Sequence, residues 1–95
     1  MSGDELDIAG CVGPVLEAGE IAQAIVDAIL AQNPAARIVD RGSYWRVLVA
    51  GRCQVTRAAI EARLGRPFVL PGDLERVMPS FKGRLLMADD QVAWT

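Results

Sequence analysis

Between Glu20 and Gln32, Ile21, Ile25 and Ile29, with Ala22, Val26 and Leu30, recur at helical spacing, and Glu20, Gln23 and Asp27 form the opposite polar stripe. Beyond Asn33-Pro34 that period is lost, because the residue before a proline is pushed out of the α region. Short β-branched and aromatic runs cut by glycine replace it. A chain that changes period in this way folds as a small α+β domain. Glu17 and Glu20 suit the positive end of the helix.

Three runs follow the helix, at residues 37–41, 43–50 and 53–55, separated by Gly42-Ser43 and Gly51-Arg52. These separators predict hairpin turns and a three-stranded antiparallel meander. In the middle run Trp45, Val47 and Val49 point to one face and Tyr44, Arg46 and Leu48 to the other, so one face packs on the helix. Before the helix, residues 9–16 read as a strand in which Pro14, lacking a ladder donor, favours an edge or a bulge. Thr56 is an N-cap for a second helix with Ile60 and Leu64 on one face, stopped by Gly65 and Pro67. Leu70, Leu74 and Val77 predict one or two helical turns between Pro71 and Pro79. Residues 80–87 and 91–94 then flank Ala88-Asp89-Asp90 as a closing hairpin. The expected order is β-α-β-β-β-α-(short α)-β-β, in one domain over residues 9–95 behind a flexible acidic segment, residues 1–8.

At 10.2 kDa the chain can remove roughly 9,500 Å² from water on folding. With 52% hydrophobic residues, 23% charged and five aromatics, the core must be mostly Val, Ile, Leu and Ala. The longest apolar stretch, residues 21–31, is interrupted by Gln23 and Asp27 and falls short of the ~20 residues of a membrane span. Asp4, Glu5 and Asp7, with no base among them, are the wrong sign for a targeting leader. The expectation is a soluble, cytoplasmic protein.

Histidine is absent, which removes every triad, shuttle or metal site that needs an imidazole. Cys11 and Cys53 have no Cys-x-x-Cys spacing and read as two reduced thiols. Asp89-Asp90 fills turn positions. Thr56 and Ser80 lack the base that would make either a nucleophile. Residues 1–35 hold six acids and no base, and residues 36–95 hold ten bases and six acids. Those bases are scattered singly, without the aromatic platforms of a nucleic-acid surface. No bound cofactor, metal, nucleic acid or membrane is expected.

Two stretches exceed what turn and cap chemistry require. In Gly65-Arg66-Pro67-Phe68 the glycine and proline stop a helix and Phe68 folds back on it, leaving Arg66 unexplained. The run from Val77 to Arg84 places Met78 and Phe81 on a connection with Pro79 and Gly83. Those two side chains either enter the core, as large apolar residues usually do, or form an exposed loop for a partner.

The run Cys11-Val12-Gly13-Pro14-Val15-Leu16-Glu17-Ala18-Gly19-Glu20, then Asn33-Pro34, the strand from Tyr44 to Val49, Leu64-Gly65-Arg66-Pro67-Phe68, Ser80-Phe81-x-Gly83 and Asp89-Asp90-Gln91 stand in a distinctive order. In this ordered set the chain resembles the effector, or coupling, proteins of bacterial soluble di-iron monooxygenases, and is most similar to the toluene and alkene monooxygenase effectors. The long N-terminal tail of the methane monooxygenase member has no counterpart here. The resemblance implies a cofactorless, non-catalytic component. It would dock on a hydroxylase carrying a carboxylate-bridged di-iron centre, within a system that also contains a ferredoxin and a reductase. It would tune oxygen activation, substrate access and product distribution. The partner-facing residues it implies are Val77, Pro79, Ser80, Phe81 and Gly83, with Gly13, Pro14 and Arg66, which moves Phe81 from core towards interface. The alternative is a small regulatory module that binds a metabolite, which requires a concave pocket with converging polar groups.

Overall fold

A computed structural model describes residues 9–95. The acidic segment over residues 1–8 lies outside the described residues. The elements in chain order are β1 (Cys11–Glu17), α1 (Glu20–Gln32), β2 (Arg37–Asp40), β3 (Tyr44–Ala50), β4 (Cys53–Thr56), α2 (Arg57–Leu64), α3 (Gly72–Val77), β5 (Ser80–Lys82), β6 (Leu85–Met87) and β7 (Gln91–Trp94). The α+β class and the predicted order hold, with the expected strand over residues 80–87 divided in two at Gly83-Arg84.

Strand pairing differs from a simple meander. The strands form two antiparallel sheets, one of order β2-β3-β1-β5 and one of order β4-β7-β6. The β2–β3 hairpin is present, but β4 leaves for the second sheet. The reason is that β3 has only two edges: β2 takes one, and β1 takes the other from Cys11↔Ala50 to Glu17↔Tyr44. The Gly51 N–H accordingly donates to the Gly10 carbonyl rather than closing a β3–β4 turn.

Pro14 lies neither on an edge strand nor in a bulge. The β1–β3 register is the same before and after it, Val12↔Val49 and Val15↔Arg46, with no extra residue. At Gly13 and Pro14 the pairing turns to β5 instead, as Gly13↔Lys82 and Pro14↔Phe81. Gly13, at φ +145°, admits the Val47 carbonyl oxygen against its Cα, where a Cβ would collide with it. A proline is tolerated there because the β3 ladder is already interrupted.

The core lies between the helices and one side of each sheet. Val12, Leu16, Val47 and Val49 meet Ala22, Ile25, Val26 and Ile29 of α1, and the cluster continues through Cys53, Val55, Val92 and Trp94 of the second sheet. Trp45 packs against it, half-buried, on the predicted face. Burial pushes the Cys53 thiol up from 9.0 to about 12, so it stays protonated and unreactive at neutral pH. Neither cysteine is in a disulfide. Among the described residues no helix is long and apolar enough to cross a membrane.

Side-chain amides seal the outer edge of β4. Asn33 Nδ2 donates to the Gln54 carbonyl at 2.7 Å, and Asn33 Oδ1 accepts from the Gln54 N–H at 3.2 Å. One residue earlier, Gln32 Oε1 accepts from the Thr56 N–H at 2.9 Å. These groups supply what a neighbouring strand would, and they tie the end of α1 to the second sheet. As predicted, Thr56 caps α2, its Oγ1 accepting from the Ala59 N–H at 3.2 Å, and Gly65 ends that helix.

Candidate partner-binding surface

Pairing with Gly13, Pro14 and Val15 seats β5 at the edge of the four-stranded sheet. The connection that reaches it comes from α3, and its two large apolar residues separate. Met78 is 8% exposed and belongs to the core cluster. Phe81 is 40% exposed and stands outside that cluster. The cause is position: Phe81, opposite Pro14, lies on the helix-packed side of the sheet but on its last strand, where the helices no longer cover it. Pro79 and Ser80 are exposed and Val77 is half-buried.

The other implied residues take supporting places. Gly13 is buried and Pro14 is fully buried, and both lie beside β5 as its pairing partners in the sheet. Gly83, at φ +103°, turns the chain from one sheet to the other. A Cβ on it would stand 2.7 Å from Val12 Cγ1 and 2.8 Å from the Thr95 carbonyl oxygen. The crossing is pinned by two backbone bonds, Arg84 N–H to Thr95 O at 2.7 Å and Thr95 N–H to Arg84 O at 2.9 Å.

Arg66, unexplained by sequence, donates from Nη1 to Glu20 Oε1 at 2.8 Å. The pair bridges the start of α1 and the loop after α2, over a shallow hollow of about 280 Å³ lined by residues from Glu17 to Ala22 together with Arg66 and Val77. Both side chains are more than half exposed, so the pair orients rather than stabilises. Phe68 folds back as expected: it is buried, and its N–H donates to Glu61 Oε2 at 2.9 Å. Sequence reasoning missed Glu20 as the partner of Arg66. An unassigned arginine and an acid in the first turn of a helix were the available signals. It also missed the amides of Gln32 and Asn33, which carried no signal beyond polarity at a helix end.

The candidate surface therefore runs from the Arg66–Glu20 pair past Val77 and Pro79 to Ser80 and Phe81, a strip with one half-exposed aromatic. Nothing in it assembles a nucleophile with a base. Among the described residues no three His, Cys, Asp or Glu side chains converge on one point. Asp89 and Asp90 occupy the β6–β7 turn, where the Ala88 N–H donates to the Gln91 carbonyl at 2.9 Å.

Known proteins share this architecture. The fold matches the solved structure of a phenol hydroxylase–regulatory protein complex, with a TM-score of 0.78 and 19% identity over 88% of this chain and 94% of that one. It also matches the soluble methane monooxygenase regulatory protein B, with a TM-score of 0.67 and 25% identity over 90% of this chain and 63% of that longer one. The effector subunit of the alkene monooxygenase system of Xanthobacter autotrophicus is 43% identical over 93 residues, which is 96% of this chain and 90% of that protein. The model of the MmoB/DmpM family matches residues 10–95. With a family pattern across all but the first residues and a relative matched over nearly its whole length, the chain belongs to the MmoB/DmpM family.

Proposed function

We propose that this protein is the effector of a multicomponent monooxygenase. In this reading it performs no chemistry itself and docks on a hydroxylase component near a carboxylate-bridged di-iron centre. There it regulates oxygen activation, substrate access and coupling in the hydroxylation or epoxidation of aromatic hydrocarbons or alkenes. A ferredoxin and a reductase complete the system, and the complex works in the cytoplasm. The observation that carries this reading is the 43% identity, over 96% of the chain, to an alkene monooxygenase effector. The strip from Arg66 to Phe81 supports it locally: a half-exposed aromatic on a short, firmly seated edge strand is how an interface anchor is presented.

Docking regulates the hydroxylase only if one of its conformations binds the effector more tightly than another. That difference amounts to roughly 1–3 kcal/mol in typical allosteric pairs. The test is product formation and peroxide leakage by the cognate hydroxylase, ferredoxin and reductase, with and without this protein. Faster turnover with less peroxide is expected, and no change in either ends the reading.

A further inference from the structure

The three-stranded sheet has two outer edges in different states. β4 is closed by the side-chain amides of Gln32 and Asn33. β6 has β7 on one side and, among the described residues, no strand on the other. Arg84 and Thr95 exchange two backbone hydrogen bonds, and the Ala88 N–H donates to the Gln91 carbonyl. The backbone groups of Arg84, Leu86 and Ala88 therefore face β7, and antiparallel alternation turns those of Leu85 and Met87 to the outer edge. The Leu85 and Met87 side chains lean on the core, while Leu86, on the opposite side of the sheet, is 45% exposed. The two ends of the strand carry opposite charge: Arg84 stands before it and Asp89 and Asp90 follow it in the turn, all three exposed. None of these three forms an ion pair among the described residues. Arg57 reaches only the Asp89 main-chain carbonyl and leaves both carboxylates open.

We infer that β6 is a self-pairing edge, through which two copies of this chain join antiparallel about a twofold axis at Leu86. The register of the strand selects this occupant. With Leu86 of each copy facing its equivalent, Leu85 lies opposite Met87 and Met87 opposite Leu85, so every outward N–H and C=O of the strand finds a partner. The two exposed Leu86 side chains then meet in a non-hydrogen-bonded pair, where Cα atoms approach to about 4.5 Å. Charge agrees with this. Antiparallel pairing sets Arg84 of each copy beside the Asp89-Asp90 turn of the other, so a single edge supplies both signs. A second copy, running in reverse, matches the order of cation, apolar run and acids by symmetry. Because β4 is sealed at the far side, the joined sheet ends at six strands and closes at two copies. Three residues bury far less than the roughly 1,600 Å² of a stable interface, so the pair is a transient one that forms at high protein concentration. It belongs to the free protein and does not depend on the effector reading.

The test is sedimentation equilibrium of the protein alone, from about 10 μM to about 1 mM, with hydrogen exchange followed at the Leu85 and Met87 amides. The mass should rise towards that of two copies, and exchange at those two amides should slow in step. Two variants read the charge order: Arg84→Glu, which has acids at both ends of β6, and Asp89→Arg with Asp90→Arg, which has bases at both. Each should self-associate at least about tenfold more weakly than the unchanged protein, because like charges then meet. Mixed in equal amounts, they should pair with each other about as well as the unchanged protein pairs with itself, a rescue that damage to the fold would not produce. If either melts early, Leu86→Lys on the exposed side sets two cations at the axis and carries the test, with the same loss expected. A protein that stays monomeric across the range overturns the pairing. So does self-association that the variants leave unchanged, or that proceeds without slower exchange at Leu85 and Met87. Slowing that appears only when the cognate hydroxylase is added gives the edge to that partner and likewise overturns self-pairing.

Discussion

The two sheets treat their edges in opposite ways. At β4 the backbone is closed by the amides of Gln32 and Asn33, so the strand has a neighbour without having another strand. At β5 the chain offers three residues, keeps Phe81 half-exposed, and fixes the segment from behind through Pro14 and from its end through Gly83. Unpaired edges invite association, and proteins usually blunt them. Here one edge is blunted with side chains, while the other carries a half-exposed aromatic on a three-residue strand.

The largest expected effect tests the claim that β5 is firmly held. Gly83→Val places a branched side chain against Val12 and the Thr95 carbonyl at a positive φ, and should cost more than about 4 kcal/mol of stability. Chemical denaturation measures this, and a loss below about 1 kcal/mol would mean that the crossover is loose. The next contrast lies within one connection. Met78→Ala should cost about 2–5 kcal/mol, as buried large-to-small changes do. Phe81→Ala should leave unfolding within about 1 kcal/mol while weakening hydroxylase binding by about 2 kcal/mol. Melts and titrations on the pair decide, and a strongly destabilised Phe81→Ala that binds normally would return Phe81 to the core.

At the sealed edge, Asn33→Ala leaves the Gln54 N–H and carbonyl without their amide and should cost about 1–3 kcal/mol. Hydrogen exchange at the Gln54 amide should quicken in step. Glu20→Gln should be the mildest, within about 1 kcal/mol in stability, because the pair with Arg66 is exposed. A larger loss would show that the pair holds the fold rather than orienting Arg66.

How far the sequence reaches can be seen at particular residues. The helix over Glu20–Gln32, the Thr56 cap, the Gly65 stop and the Asp89-Asp90 turn are written in nearest neighbours, and each lies where its chemistry places it. The destination of β4 is different: it depends on β1 reaching β3 first, a long-range competition that no local pattern records. Pro14 misleads for the same reason, since its missing donor is offset by an interruption in a partner strand rather than by a place at the edge. The outward position of Phe81 and inward position of Met78 follow from which strand is last in the sheet, and composition treats the two alike. Family resemblance supplied Phe81, Gly13 and Pro14 alike as contact residues, and local sequence carries nothing to separate them, although Phe81 is half-exposed and the other two are buried.

The alternation along β5 also limits the shape of whatever receives it. Ser80 looks out from one side of the sheet and Phe81 from the other, with only the thickness of a single strand between them. A flat surface laid on either side meets one of the two and misses its neighbour. A receptor that reads both must have two walls, so the sheet enters it rim first, as a blade enters a slot. The firm seating of the rim is then a mechanical requirement: a blade that bent on entry would deliver neither side chain to its wall.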